Sequence, residues 1–131
     1  MKFIVEARDG DARTGRIETA HGVVHTPGFM PVGTYGAVKA VHPERLARLG
    51  ADILLCNAYH LSLSPGVEVI TACGGIQRFI GWQGPILTDS GGYQVFSLRE
   101  MLQLSDRGVQ CRSPIDGSKR LLTPESVVEF Q

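Results

Sequence analysis

The chain contains 131 residues, of which 43% are hydrophobic and 20% are charged, and these fractions are typical of a single globular domain. Thirteen Lys and Arg residues balance thirteen Asp and Glu residues, so the overall charge gives no argument for a nucleic-acid or membrane partner. The three widely spaced cysteines exclude a disulfide framework, and the lack of a long apolar run excludes a signal segment or membrane span, so we expect a cytoplasmic protein.

The first 27 residues carry the pattern of short β-strands. Residues 2–8 (KFIVEAR) are strand-like, DGDA is a turn signal, and TGRIETAHGVVHTP predicts two more strands joined around Gly22. We therefore predict an antiparallel opening over residues 1–27.

From residue 28 onward, apolar strand-like runs alternate with helical patterns. GFMPVG predicts a strand, HPERLARLG a helix that ends at Gly50, and ADILLCNA a buried strand. PGVEVITACGG predicts a second helix, and GPILTD a third buried strand. This alternation indicates an α/β fold with a parallel sheet, either doubly wound or closed as a barrel, and the pattern alone does not separate the two.

The last thirty residues predict a hairpin followed by a helix. GVQCRS and KRLL would pair around Asp116-Gly117, and TPESVVEFQ begins a helix with Thr123 as N-cap and Pro124 in the first position. A closed barrel takes about 250 residues, so this chain would supply about half of one. Because it stops within a helix, we expect a truncated chain.

The stretch ILTDSGGYQVFSL has the composition of a site rather than of a regular element. A parallel strand would place Asp89 at its carboxyl end, where α/β folds gather catalytic groups. Ser90, Gly91 and Gly92 would let a flat ligand approach main-chain N–H groups, and Tyr93 could stack on it. Alternatively, Asp89 or Ser90 caps a helix, the glycines form a turn and Tyr93 packs, and the spacing does not decide.

A second group of polar residues follows the preceding strand. Asn57 comes after the apolar residues 53–56, so its amide could hydrogen-bond an acid on a neighbouring strand. His60 stands beside apolar residues, and we interpret it as structural. His21, His25 and His42 are interpreted in the same way, because no pair of histidines has metal-ligand spacing with a cysteine or acid.

Four blocks, in order, resemble the amino-terminal part of the bacterial tRNA-guanine transglycosylase (queuine tRNA-ribosyltransferase) family: TPGFMPVGTYGAVKA, GADILLCNAYHL, FIGWQGPILTDSGGYQVFSL and IDGSKRLLTPESVVEFQ. TDSGGYQVFSL is the most specific of them. The resemblance implies exchange of the wobble guanine of GUN-anticodon tRNAs for a 7-deazaguanine through a covalent ribosyl-enzyme intermediate, in queuosine modification. The chain would be about the first third of a family member.

The resemblance also implies a fold and partners. Residues 1–131 would form the amino-terminal part of a single TIM-barrel catalytic domain, with residues 28–131 supplying its first strands and helices. Full-length members bind Zn²⁺ in a later subdomain that is absent here, so this chain would hold no metal ligands. The implied partners are the tRNA anticodon loop, guanine or a 7-deazaguanine base, and a second copy in a homodimer whose interface resembles the segment of Phe79 and Trp82. That aromatic pair is equally ordinary core material.

The resemblance assigns roles to nine residues. Asp89 would be the proton acceptor and base-recognition residue, whereas the covalent nucleophile of the family is a second aspartate, far downstream. The base pocket would be lined by Ser90, Gly91 and Gly92, and Tyr93 would stack on the base. Asn57 and Gln94 would be polar neighbours of the acid, and Val32 and Leu55 would flank the nucleotide.

The chain also departs from the family pattern. Ala58 stands where threonine is usual, Ser64 where arginine is usual, and Cys111 where an aromatic is common. The lost arginine would weaken a salt bridge or an RNA contact. Two alternatives remain open: a non-catalytic accessory module that pairs with a full-length partner, and an unrelated barrel enzyme, such as a glycosidase that uses Asp89 as one of its carboxylates.

Overall fold

The amino-terminal segment forms the predicted antiparallel sheet. The computed structural model describes residues 1–97 and 102–131. Three strands, ordered β1-β2-β3, pair antiparallel: β1 (Lys2–Asp9), β2 (Ala12–Thr19) and β3 (Gly22–Thr26). Arg16 on β2 forms an ion pair with Glu6 on β1, which supports the pairing of these two strands. Arg16 also forms an ion pair with Glu18 on its own strand. The prediction of an antiparallel opening is confirmed.

The central segment contains a small parallel sheet. Helix α1 (Pro43–Arg48) precedes β4 (Leu54–Asn57), which pairs in parallel with β5 (Ile86–Asp89). The strand predicted over residues 28–33 is wrong in extent, because only an isolated parallel bridge joins Val32 to Leu55. Pro31 within this run has no N–H to donate to a ladder, which limits its pairing.

Three short helices connect β4 to β5, where the sequence predicted one. They are α2 (Ala58–Leu63), α3 (Val67–Ala72) and α4 (Ile76–Ile80). Helix α3 is the predicted one, whereas α2 and α4 were not predicted. Helix α2 begins at Ala58, directly after the last residue of β4, so no turn residue separates it from the strand, and α4 has only five residues.

The carboxyl-terminal segment forms the predicted hairpin and helix, with one more strand. After α5 (Gly92–Ser97), a three-stranded antiparallel sheet contains β6 (Leu102–Ser105), β7 (Gly108–Arg112) and β8 (Lys119–Leu122). Helix α6 (Pro124–Phe130) starts with the expected cap: Thr123 and Ser126 each accept from the other's main-chain N–H. Strand β6, with the sequence LQLS, was not predicted.

The core lies between one face of the parallel sheet and the helices that cover it. Leu54, on β4, is 1% exposed and packs with Leu46 of α1 and with Trp82. The indole N–H of Trp82 donates to the main-chain oxygen of Pro85 at 3.0 Å, which anchors the ring just before β5. Trp82 is therefore core material within this chain.

The opposite face of the parallel sheet is open. Strand alternation places Val32, Leu55 and Leu87 on this face, where Val32 is 49% and Leu87 is 41% exposed. The described residues thus form a mixed α/β fold with three small sheets. None of their helices is long and apolar enough to cross a membrane.

We expect Leu54→Ala to destabilise the chain by about 2–5 kcal/mol, because the substitution empties the centre of the core. Urea denaturation followed by circular dichroism measures the change. Leu49→Ala is the control, since Leu49 is 71% exposed at the end of α1 and its truncation leaves no buried cavity. Equal losses for both variants would mean that Leu54 does not pack as described.

A pH-dependent contact joins β3 to the segment before β4. Asp52 Oδ2 accepts from both the main-chain N–H and the ring Nδ1 of His25, each at 2.9 Å, and these bonds lower the pKa of Asp52 below its usual 3.8. The resulting stabilisation is present above pH 4 and is lost as the pH falls through the lowered pKa.

Asp52→Asn should therefore reduce stability at neutral pH, by no more than about 1 kcal/mol because the pair is solvent-exposed. The difference from the unsubstituted chain should disappear in acid. Unfolding curves recorded between pH 7 and pH 2 test this, and a difference that grows toward low pH would contradict it.

Candidate active site

The pairing of β4 with β5 brings two polar side chains together at the carboxyl ends of both strands. Asn57 and Asp89 are direct partners in the parallel register. The amide Nδ2 of Asn57 donates to Asp89 Oδ2 at 2.5 Å. The expected contact between the amide and an acid on the neighbouring strand is therefore present.

The Asn57 side chain also begins helix α2. Its Oδ1 accepts from the main-chain N–H of His60 at 3.0 Å, which is an N-cap hydrogen bond. Asp89 Oδ1 in turn accepts from the main-chain N–H of Ala58, the first residue of α2, at 3.0 Å. The Asn57 oxygen therefore caps the helix, while its nitrogen orients the Asp89 carboxylate. Both carboxylate oxygens of Asp89 have a donor.

The segment after Asp89 turns sharply against α2. Gly91 is buried with φ +70, and a Cβ added there would lie 2.8 Å from the Cβ of Tyr59. A side chain is excluded by both the backbone conformation and the contact. Ser90 Oγ accepts from the Gly92 N–H at 3.3 Å. The alternative of a serine-supported turn before a helix is thus realised at the same place as the candidate site.

The other candidate residues surround this turn or lie along the open face. Tyr93, on α5, is 74% exposed, so its ring can cover a ligand. Gln94 follows it and is partly buried. Val32 and Leu55 are bridged, with the Gly33 N–H donating to the Leu55 oxygen at 2.7 Å.

The thiol of Cys56, one residue before Asn57, stays in its neutral form. Burial, together with the nearby Asp89 carboxylate, raises the pKa of Cys56 to about 11, so this thiol stays protonated and is not a nucleophile. Burial also raises the pKa of Tyr59. The His60 ring packs edge-on against the rings of Tyr35 and Tyr59, with centroids 5.2 and 5.3 Å away.

The described residues contain no group of three or more His, Cys, Asp or Glu side chains that could hold a metal ion. The ring Nδ1 of His25 lies 2.9 Å from the Asp52 carboxylate.

Two parts of the site escaped the sequence analysis. The first is the main-chain N–H of Ala58, which donates to Asp89 Oδ1. The second is Gln131, which lies forty-two residues after Asp89 in the chain and whose Nε2 is 3.1 Å from the Asp89 main-chain oxygen. Neither has a local signal, because any residue type supplies an N–H and a glutamine near a helix end is common.

Comparison with known proteins shows similarity over nearly the whole chain. The sequence profile of the family described as "TGT: Queuine tRNA-ribosyltransferase" matches residues 9–131. Proteins named queuine tRNA-ribosyltransferase from Nitrosomonas eutropha and Thiobacillus denitrificans are each 54% identical over 131 residues, all of this chain and 36% of each relative. The namesake from Nitratidesulfovibrio vulgaris is 55% identical over 129 residues, 98% of this chain and 34% of that relative. The chain spans about a third of the length of these relatives.

The turn at Gly91 can be tested with a matched glycine. Gly117 has φ +71, and a Cβ there would meet nothing within 4 Å. Gly117→Ala should lower the free energy of unfolding by only roughly 1–2 kcal/mol, which is the cost of a side chain in the left-handed conformation. Gly91→Ala should lose about 1–3 kcal/mol more, since its Cβ also collides with Tyr59. Thermal unfolding of both variants measures the difference, and equal losses would show that Gly91 does not approach Tyr59 as described.

Proposed function

The chain belongs to the queuine tRNA-ribosyltransferase family, and on this premise we propose that it is the base-pocket part of a tRNA-guanine transglycosylase. The reaction exchanges the wobble guanine of GUN-anticodon tRNAs for a 7-deazaguanine. Residues 1–131 would belong to a single catalytic domain, in which residues 28–131 supply the first strands and helices of a TIM barrel. The parallel pairing of β4 with β5 and the covered outer face of that sheet support this architecture.

The observation that carries the proposal is the arrangement of Asp89. Cleavage of an N-glycosidic bond builds positive charge on the ribose, which one carboxylate can trap covalently while a second group handles the proton of the leaving base. Asp89 would be that second group, protonating the departing guanine and deprotonating the incoming base. Its carboxylate is held by Asn57 and the Ala58 N–H at the carboxyl end of a parallel strand, so its direction is fixed before a base arrives.

The residues around Asp89 would form the base pocket. Ser90, Gly91 and Gly92 would line it and Tyr93 would stack on the base, which the 74% exposure of that tyrosine supports. Gln94 would be a second polar neighbour of the acid. Val32 and Leu55, bridged on the open face, would flank the nucleotide.

The remaining parts of the reaction would come from outside these residues. We assign no covalent nucleophile here, because none of the other acids stands in a matching motif. The Zn²⁺ of full-length members does not fit the described side chains, which include no suitable cluster of ligands, so no step here depends on it. The partners would be an unstacked tRNA anticodon loop, the free base and, for a full-length protein, a second copy.

Incorporation of radiolabelled guanine into tRNA with a GUN anticodon tests the proposal. The 131-residue chain should give none, whereas a chimaera that joins it to the remaining length of the Nitrosomonas eutropha relative should be active. Asp89→Asn in the chimaera should lower incorporation at least about 100-fold, because an amide cannot accept the proton. Asp106→Asn, at an exposed turn, is the control.

Two results would contradict this assignment. Incorporation by the 131-residue chain that is lost in Asp89→Ala would mean that another acid within it serves as nucleophile. An inactive chimaera that still binds tRNA would favour the non-catalytic accessory module.

A further inference from the structure

Gln131 ties the end of β5 to the carboxyl-terminal helix. It is the C-cap of α6, and its Nε2 lies 3.1 Å from the main-chain oxygen of Thr88 and 3.1 Å from that of Asp89. The same nitrogen is 3.3 Å from Thr88 Oγ1. An amide nitrogen has two hydrogens, and the two main-chain oxygens are its nearest acceptors.

The helix that carries Gln131 is itself anchored. The reciprocal cap of Thr123 and Ser126 fixes its first turn. Just before it, Arg120 Nη1 donates to the main-chain oxygen of Ser62 at 2.7 Å, which ties β8 to the last turn of α2. Helices α2 and α6 also contact each other. These contacts hold α6, and with it the side-chain amide of Gln131, next to the end of β5.

These contacts determine how the last residue of β5 is oriented. The Asp89 carboxylate is bound by α2, whereas the Asp89 main-chain oxygen is bound by Gln131 from α6. The Asp89–Ser90 peptide bond is trans, so its N–H points opposite to its oxygen. With the oxygen facing Gln131, the Ser90 N–H points away from α6.

We propose that Gln131 is a positioning residue for the base exchange, which it serves by holding the Asp89–Ser90 peptide plane. That plane sets the direction of the Ser90 N–H and keeps the Asp89 carboxylate on Asn57 when a base binds. The inference rests on the proposed function of Asp89. Gln131 itself touches the main chain of β5 and need not touch the base.

The test uses the whole 131-residue chain, labelled with ¹⁵N, and two substitutions. Gln131→Met keeps a similar length without donors, and Gln131→Glu keeps the shape with acceptors in place of donors. Gln103→Met is the control, because Gln103 is an exposed glutamine on β6. Amide signals of Asp89, Ser90 and Gly91 report the peptide plane, and titration with 7-deazaguanine reports base binding.

Both Gln131 variants should shift the Ser90 amide signal, leave the signals of β1 to β3 in place and bind 7-deazaguanine about tenfold more weakly, the effect of one or two lost hydrogen bonds. Gln103→Met should change neither readout. An unmoved Ser90 signal in both variants, or an unchanged affinity, would overturn the inference. If the unsubstituted chain fails to bind 7-deazaguanine, the proposed pocket fails, while the Ser90 signal still decides whether Gln131 holds the peptide.

Discussion

The parallel register of β4 and β5 is the constraint on which the candidate site depends. It sets Asn57 directly beside Asp89, and because side chains alternate along a strand, a shift by one residue would move the acid to the opposite face. The buried side of the same pairing carries Leu54, whose packing against α1 and Trp82 penalises any such shift. The hydrophobic core therefore fixes the place of a polar group that it does not touch.

The polar contacts at this end of the sheet form one connected set. The Asn57 oxygen accepts from the His60 N–H of α2, and its nitrogen donates to Asp89. Reversing the amide would therefore break both hydrogen bonds. Buried polar groups that are fully hydrogen-bonded make a structure specific, whereas a partly satisfied set would destabilise it. Asn57 is 7% exposed, which makes each of its hydrogen bonds important.

Much of this arrangement is predictable from the sequence, because its signals are local. The antiparallel opening, α1, β5 and the Thr123 cap follow from turn residues, apolar runs and capping residues. The contact between Asn57 and Asp89 follows from the rule that parallel strands end at one edge. Helix α2 could not be separated in the sequence from the strand that it directly follows, and α4 has only five residues. Gln131 could not be linked to β5, because that contact depends on how distant elements pack.

The raised pKa and the burial of the Cys56 thiol determine which cysteine of the chain reacts first. With a pKa of about 11, Cys56 is a thiolate in only about one molecule in ten thousand at pH 7, and it is fully buried. Cys73 is exposed, at the end of α3 and away from β4. Oxidants and alkylating reagents will therefore modify Cys73 first, and a fluorophore attached there will leave the surroundings of Asp89 unmodified.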